Sequence, residues 1–193
     1  MAEVFRRNGF ELSQKQVQNF SLYLQELKRW NRVHNLTSLR EDRDIIVRHF
    51  LGSLTVSLCL KEKGVEVNGL NLCDVGSGAG FPGVPLKIYY GDLIELTLIE
   101  AVAKKCSFLE YLKTRLGISY RVLCKEAQRV EERFDLVVSR ALGKLEDILP
   151  LLLNLSKGYV LVMKGSAPEE GYNHCKINLP DVKGYILFLA KTR

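Results

Sequence analysis

From Gly69 onward, short apolar runs alternate with amphipathic stretches, and the first run empties into a loop with four glycines in the eight positions from Gly76 to Gly83. The runs are LNLCDVG, LTLIE (Leu96 to Glu100), YRVLC, FDLVVSR (Phe134 to Arg140), YVLVMKG and a late GYILFLAK. Between them, AKKCSFLEYLKTRLG predicts a helix stopped by Gly117, and LEDILPLLLNLS a helix that Pro150 bends or divides. Strands alternating with helices in this way predict a doubly wound, mostly parallel α/β sheet. Ligands in such sheets bind beyond the carboxyl ends of the strands. The glycine loop, Glu100 and Arg140 all fall on that edge.

The part before the sheet reads as helical. Ser13 followed by Gln16 fits a capping box, and Val17, Phe20, Leu24, Leu27 and Trp30 recur at helical spacing. A second helix is expected from Asp42 to Leu60, closed by a loop from Lys61 to Gly69. The expected division is a helical N-terminal extension over residues 1–68 and a sheet domain over 69–193. No stretch has the apolar length of a signal peptide or a membrane helix. Cys59, Cys73, Cys106, Cys124 and Cys175 form no Cys-x-x-Cys pair, so zinc ligation has no spacing to support it. Their odd number and mostly apolar surroundings predict reduced core thiols and a cytoplasmic setting. The net charge of +6 favours a polyanionic partner, though the excess is modest.

Three uses compete for the glycines: a tight turn, a phosphate cradle, or close approach to another cofactor. Counted from Gly76, the third glycine of a dinucleotide pattern falls on Phe81. Counted from Gly78 it falls on Gly83, but Asp74 then stands unexplained, since a carboxylate repels a pyrophosphate. A Walker loop needs Gly-Lys-Ser/Thr, which is absent. S-adenosyl-L-methionine, which has cationic groups and no phosphate, suits Asp74 before Gly76, Gly78 and Gly80, with the glycines letting the backbone come close. Glu100, ending the next strand, is then the expected acceptor for the ribose hydroxyls. The competing reading is a tight strand-to-helix turn with an exposed glutamate.

The chain as a whole resembles the bacterial 16S ribosomal RNA guanine-N7 methyltransferases, the glucose-inhibited division protein B family. The resemblance is carried by RWNRVHNLTSLR (Arg29 to Arg40), RHFLGSL (Arg48 to Leu54), DVGSGAGFPGVPLKI, LIEAVAKKCSFLEYL, VVSRAL (Val137 to Leu142) and MKG (Met163 to Gly165). It implies a Rossmann-like class I S-adenosylmethionine-dependent methyltransferase sheet behind a helical extension. The implied substrate is one guanosine, G527 in the usual nucleotide numbering of the 530 loop. The partner is 16S rRNA or the 30S subunit, with no metal and no membrane, and the chain is expected to be a monomer. Carried over position by position, cofactor contacts fall on Gly76, Phe81, Ala127, Gln128 and Arg140. Two positions depart from the family's usual pattern: Gln128 replaces Glu, and Gly52 replaces Asp.

The chemistry agrees with that resemblance. Many amino-methylating enzymes place an Asn/Asp-Pro-Pro-aromatic loop after the fourth strand, where this chain reads SRAL. Guanine N7 has an in-plane lone pair and no proton, so its methylation needs no general base, and no catalytic residue is assigned. Arginine paired to guanine through O6 and N7 would block the acceptor lone pair, so Arg140 is expected to orient the cofactor or a phosphate. RNA contacts are expected at Arg29, Arg32, Asn35, Arg48, His49 and Lys164, with Arg40 and Arg43 nearby. The competing readings are a solvated helix face for the arginines, a structural role for His49 and a solvated strand end for Lys164. Trp30, on the apolar face, reads as core rather than as a base-stacking platform. Two other functions stay open: a class I methyltransferase with a different substrate, and a non-catalytic RNA-binding protein.

Overall fold

The computed structural model describes residues 1–140, 143–165 and 167–190. Among them, β1 (Leu70–Val75), β2 (Ile94–Glu100), β3 (Arg121–Cys124), β4 (Phe134–Arg140), β5 (Ser156–Lys164), β6 (His174–Asn178) and β7 (Lys183–Ala190) form one sheet, in the order β3-β2-β1-β4-β5-β7-β6. β1 to β5 run parallel, and β7 runs antiparallel to both β5 and β6. The strand order reverses between β1 and β4, the switch point at which such sheets hold ligands. The glycine loop leaves β1 there, and Arg140 ends β4 there.

The helices are α1 (Ala2–Arg7), α2 (Gln14–His34), α3 (Asp42–Asp44), α4 (Gly52–Glu62), α5 (Gly83–Tyr90), α6 (Ala103–Leu116) and α7 (Leu145–Leu155). The capping box of α2 is formed: the Gln16 amide donates to Ser13 Oγ at 3.2 Å, and the Ser13 amide to Gln16 Oε1 at 2.7 Å. The second expected helix runs from Asp42 through Glu62, but its middle, Ile45–Leu51, is π-helical. Pro150 lies inside α7 without dividing it. It is exposed, so the carbonyl deprived of its donor can turn to water.

Alternation along the strands builds two cores. Leu72, Leu98, Leu136 and Leu161 join Phe5, Phe20, Tyr23, Phe50 and Leu54 of the helical segment in one cluster. Cys73, Val75, Ile99, Val137 and Val160 meet Ile148, Leu149 and Leu152 of α7 on the other face. The N-terminal helices therefore cover a face of the sheet and share its core. Their far end is clamped as well: Arg7 Nε and Asn8 Nδ2 each donate to Asp181 Oδ2 at 2.6 Å.

The cysteines correct the expectation of reduced thiols. Cys59 is bonded to Cys175, 116 residues away, and Cys106 to Cys124. Cys73 is free and buried. Packing of α4 on β6 and of α6 on β3 creates both pairs, and no spacing in the sequence displays those contacts. The cysteines thus give no support to a reducing compartment.

Candidate active site

β1 delivers Asp74 fully buried beneath the glycine loop. Its Oδ2 accepts the amide of Gly83, the first residue of α5, at 2.8 Å. A Cβ at Gly83 would lie 2.6 Å from Leu98 Cδ2 and 2.9 Å from Asp74 Oδ2, so only glycine lets the helix start against that carboxylate. Asp74 Oδ1 has no partner. Burial pushes the Asp74 pKa up to about 7; Glu100 adds to the rise, while the Gly83 amide and Arg140 oppose it.

The loop is held from the N-terminal helices. Tyr23 Oη donates to the Ala79 carbonyl at 2.5 Å. Gly80, at φ 103°, has no room for a side chain, since a Cβ would sit 2.7 Å from that hydroxyl. Phe81 stacks on Tyr23 (5.3 Å between centroids, 10° between planes) and on His49 (4.4 Å, 15°). Two aromatic contacts thus hold the Phe81 ring, which is 7% exposed.

Glu100 is only 6% exposed. Its Oε2 accepts the Gly78 amide and its Oε1 the Val102 amide, both at 2.8 Å. The carboxylate thus fixes the glycine loop and the entry to α6 at once. Each oxygen retains a second lone pair. Glu100 lines a hollow of about 380 Å³ with Gly76, Lys105, Ala127 and Gln128.

Across β4 lies a second hollow of about 430 Å³, bounded by Arg48, Gly52, Arg140, Lys164, Gly165 and Tyr185. Arg140 Nη2 donates to the Arg48 carbonyl at 2.8 Å, in the π-helical stretch, while Nη1 is buried without a partner. Burial and the Arg48 charge lower the Arg140 pKa, and Asp74 counters them; an arginine still stays charged. Lys164 pairs with Glu169 at 3.0 Å. His49 Nε2 lies 2.8 Å from Thr37 Oγ1, and its Nδ1 is buried without a partner. Burial, then the charges of Arg140 and Arg48, lower the His49 pKa to about 4, so the ring is neutral at pH 7.

Among the described residues, the buried side-chain atoms left without a partner are His49 Nδ1, Asp74 Oδ1 and Arg140 Nη1. Arg140 lies within electrostatic reach of both of the others. Buried polar atoms are seldom left unpaired, because desolvation without a hydrogen bond is costly. The donor set fits the amino-acid end of S-adenosylmethionine: Asp74 Oδ1 can accept from an ammonium, and Arg140 Nη1 can donate to a carboxylate. Glu100 remains an acceptor for hydroxyls.

Other expected residues lie apart from this edge. Asn35 is the left-handed C-cap of α2, and its Oδ1 accepts from Arg40 Nη2 at 3.1 Å. Arg29 and Arg32 are exposed on α2. Ala141 and Leu142 of the SRAL stretch lie outside the described residues. Tyr23 and Gly83 were not among the expected site residues, although Tyr23 follows Phe20 at helical spacing and Gly83 closes the glycine run.

The strand order, the glycine loop after β1 and the acid ending β2 define a class I methyltransferase fold. A magnesium protoporphyrin IX methyltransferase from Synechocystis PCC 6803, solved with bound SAM, matches with a TM-score of 0.63 at 15% identity, covering 94% of this chain and 98% of that one. A SAM-dependent methyltransferase from Aquifex aeolicus matches at 0.56 and 16% identity, covering 76% and 92%. Sequence carries the identification further. The profile of the family described as rRNA small subunit methyltransferase G matches residues 16–187. A ribosomal RNA small subunit methyltransferase G from Aquifex aeolicus (strain VF5) is 53% identical over 191 residues, which is 96% of this chain and 97% of that protein. The one from Roseiflexus castenholzii is 35% identical over 188 residues, covering 93% and 78%. The chain belongs to the rRNA small subunit methyltransferase G family.

Proposed function

We propose that the chain transfers the methyl group of S-adenosylmethionine to N7 of a guanosine in the 530 loop of 16S rRNA. Asp74 Oδ1 at the glycine loop and Arg140 Nη1 at the end of β4, both without a protein partner and within electrostatic reach of each other, support the cofactor, and family membership supports the RNA. Bound at this edge, S-adenosylmethionine supplies an electrophilic methyl group on a sulfonium that departs as a neutral thioether. The residues position and exclude. Glu100 holds the loop through Gly78, Arg140 is pinned on the Arg48 carbonyl, and the Tyr23–Phe81–His49 stack keeps the loop against the helices. Alignment of this kind supplies most of the acceleration for a displacement without proton removal. His49, with a pKa near 4, is a weak base, which favours an acceptor that carries no proton, as N7 does. We infer a cytoplasmic setting from an RNA substrate of this class.

Transfer of tritiated methyl from S-adenosylmethionine tests the reading, with 30S subunits, protein-free 16S rRNA and a protein extract offered in parallel. Label in the RNA of one of the first two is expected. Label in protein alone supports a class I methyltransferase of a different substrate.

A further inference from the structure

Beside the strand edge, α2 and α6 enclose a hollow of about 300 Å³ lined by Arg29, Trp30, Val33, His34 and Tyr111. Its walls are aromatic. Trp30 lies 5.2 Å from His34 and 5.3 Å from Tyr111, ring to ring, and is backed by Phe108 at 5.5 Å. The indole packs against the core cluster, as its reading as core expects, but is only half-buried, and the apolar Val33 next to it is 75% exposed. The mouth is basic. The nearby acid is Glu26, whose carboxylate already accepts from Tyr111 Oη at 3.0 Å and Arg115 Nε at 2.9 Å. Arg29 reaches it only at 3.9 Å and is 74% exposed, so its guanidinium is open to a further anion.

The hollow also stands in a fixed relation to the methyl-transfer edge. Tyr23 of the same helix holds the glycine loop, and Trp30 follows two turns on, about 10 Å along the axis. The other wall, α6, begins just beyond Glu100.

We propose that this hollow receives one unstacked base of the RNA substrate, flanking the target guanosine, with its phosphate on Arg29. The proposal rests on the reading of the chain as an rRNA methyltransferase. Single-stranded RNA is recognised by stacking splayed bases on aromatic faces and arginine planes. A base is flat, apolar on its faces and tied to an anion, and the hollow answers each property: an indole wall, an exposed apolar lip and an unsatisfied guanidinium.

Steady-state kinetics with the acceptor RNA test this. Trp30→Leu should raise KM for RNA by roughly 5- to 150-fold, as loss of one stacked base worth about 1–3 kcal/mol gives. Trp30→Phe, which keeps an aromatic face on Phe108, should restore most of the loss. KM for S-adenosylmethionine should hold in both. Val33→Asp touches no core and places a carboxylate at the mouth; it should raise KM for RNA while leaving kcat and the melting midpoint near those of the parent. Trp30 is the sole tryptophan, so its emission reports the hollow directly. It should be quenched by protein-free 16S rRNA and unmoved by S-adenosylhomocysteine. An unchanged KM for RNA in Val33→Asp, or quenching by S-adenosylhomocysteine alone, overturns the proposal while leaving rRNA methylation standing. A chain that methylates no rRNA at all overturns both.

Discussion

Asp74 should give up a proton when S-adenosylmethionine binds. In the free protein burial lifts its pKa from 3.8 to about 7. An ammonium donating to the partnerless Oδ1 favours the carboxylate and draws that pKa back down. Below the free-protein pKa, binding must first remove the proton, which weakens affinity about tenfold per pH unit. Affinity should therefore rise about five- to sixfold between about pH 6 and a maximum at about pH 7.4, then fall as the ligand's own α-amino group, with a pKa of about 7.7–8.0, loses its charge. Titration calorimetry in two buffers of different ionisation enthalpy counts the protons directly: about one released near pH 6, turning to a net uptake of about half a proton near pH 8, where the ligand's amine must be protonated to bind. Asp74→Asn should abolish both the release and the rise. The same linkage acts on folding. Between about pH 4 and about pH 7 the folded chain holds a proton that the unfolded chain has lost, so stability falls as pH rises through that window. Zero proton release near pH 6 in the parent, or an unchanged pH slope in Asp74→Asn, would refute the reasoning.

Three further outcomes are expected. Glu100→Ala should weaken cofactor binding by about 1.5–3 kcal/mol, the range for hydrogen bonds to a charged group. It should also lower the urea midpoint, because the Gly78 and Val102 amides lose their acceptor; unchanged calorimetry and unchanged unfolding together would reject both roles. Replacing Arg29, Arg32 and Arg40 with Gln should weaken RNA binding and flatten its salt dependence by about 0.7 in log-log slope per lost contact to a single strand, and an unaltered slope would make them a solvated face. Reductant should lower the urea midpoint, since the Cys59–Cys175 bond spans 116 residues, a closure worth up to about 4–5 kcal/mol by chain entropy. Cys59→Ser should reproduce that loss without reductant, and midpoints indifferent to both treatments would contradict the pairing.

What was legible in the sequence was what local pattern encodes. The Ser13 box, the stop at Gly117 and the alternating runs of β1 to β5 all write their geometry into neighbouring residues. So did the position of Asp74, Glu100 and Arg140 at one edge, because a parallel sheet sends every strand's carboxyl end the same way. Roles that depend on tertiary contact were not legible. Glu100 was read as a hydroxyl acceptor, yet its first two hydrogen bonds tie down the protein's own loop. Tyr23 became a site residue only because α2 lies across the glycine loop. β6 is short and follows the turn-rich stretch after β5, and its place at the sheet margin is set by pairing with β7. Cys59 and Cys175 could not be matched without knowing that α4 lies on β6.

The acceptor atom is the most direct test of the proposed reaction. 16S rRNA lacking the modification would be methylated by the chain, digested with nuclease, and the modified nucleotide located and identified by tandem mass spectrometry. The expected product is a single 7-methylguanosine in the 530-loop fragment, with its fixed positive charge on the base. Methyl on an exocyclic amine or on a ribose hydroxyl would contradict it, because those acceptors must lose a proton in the transfer, whereas N7 carries none.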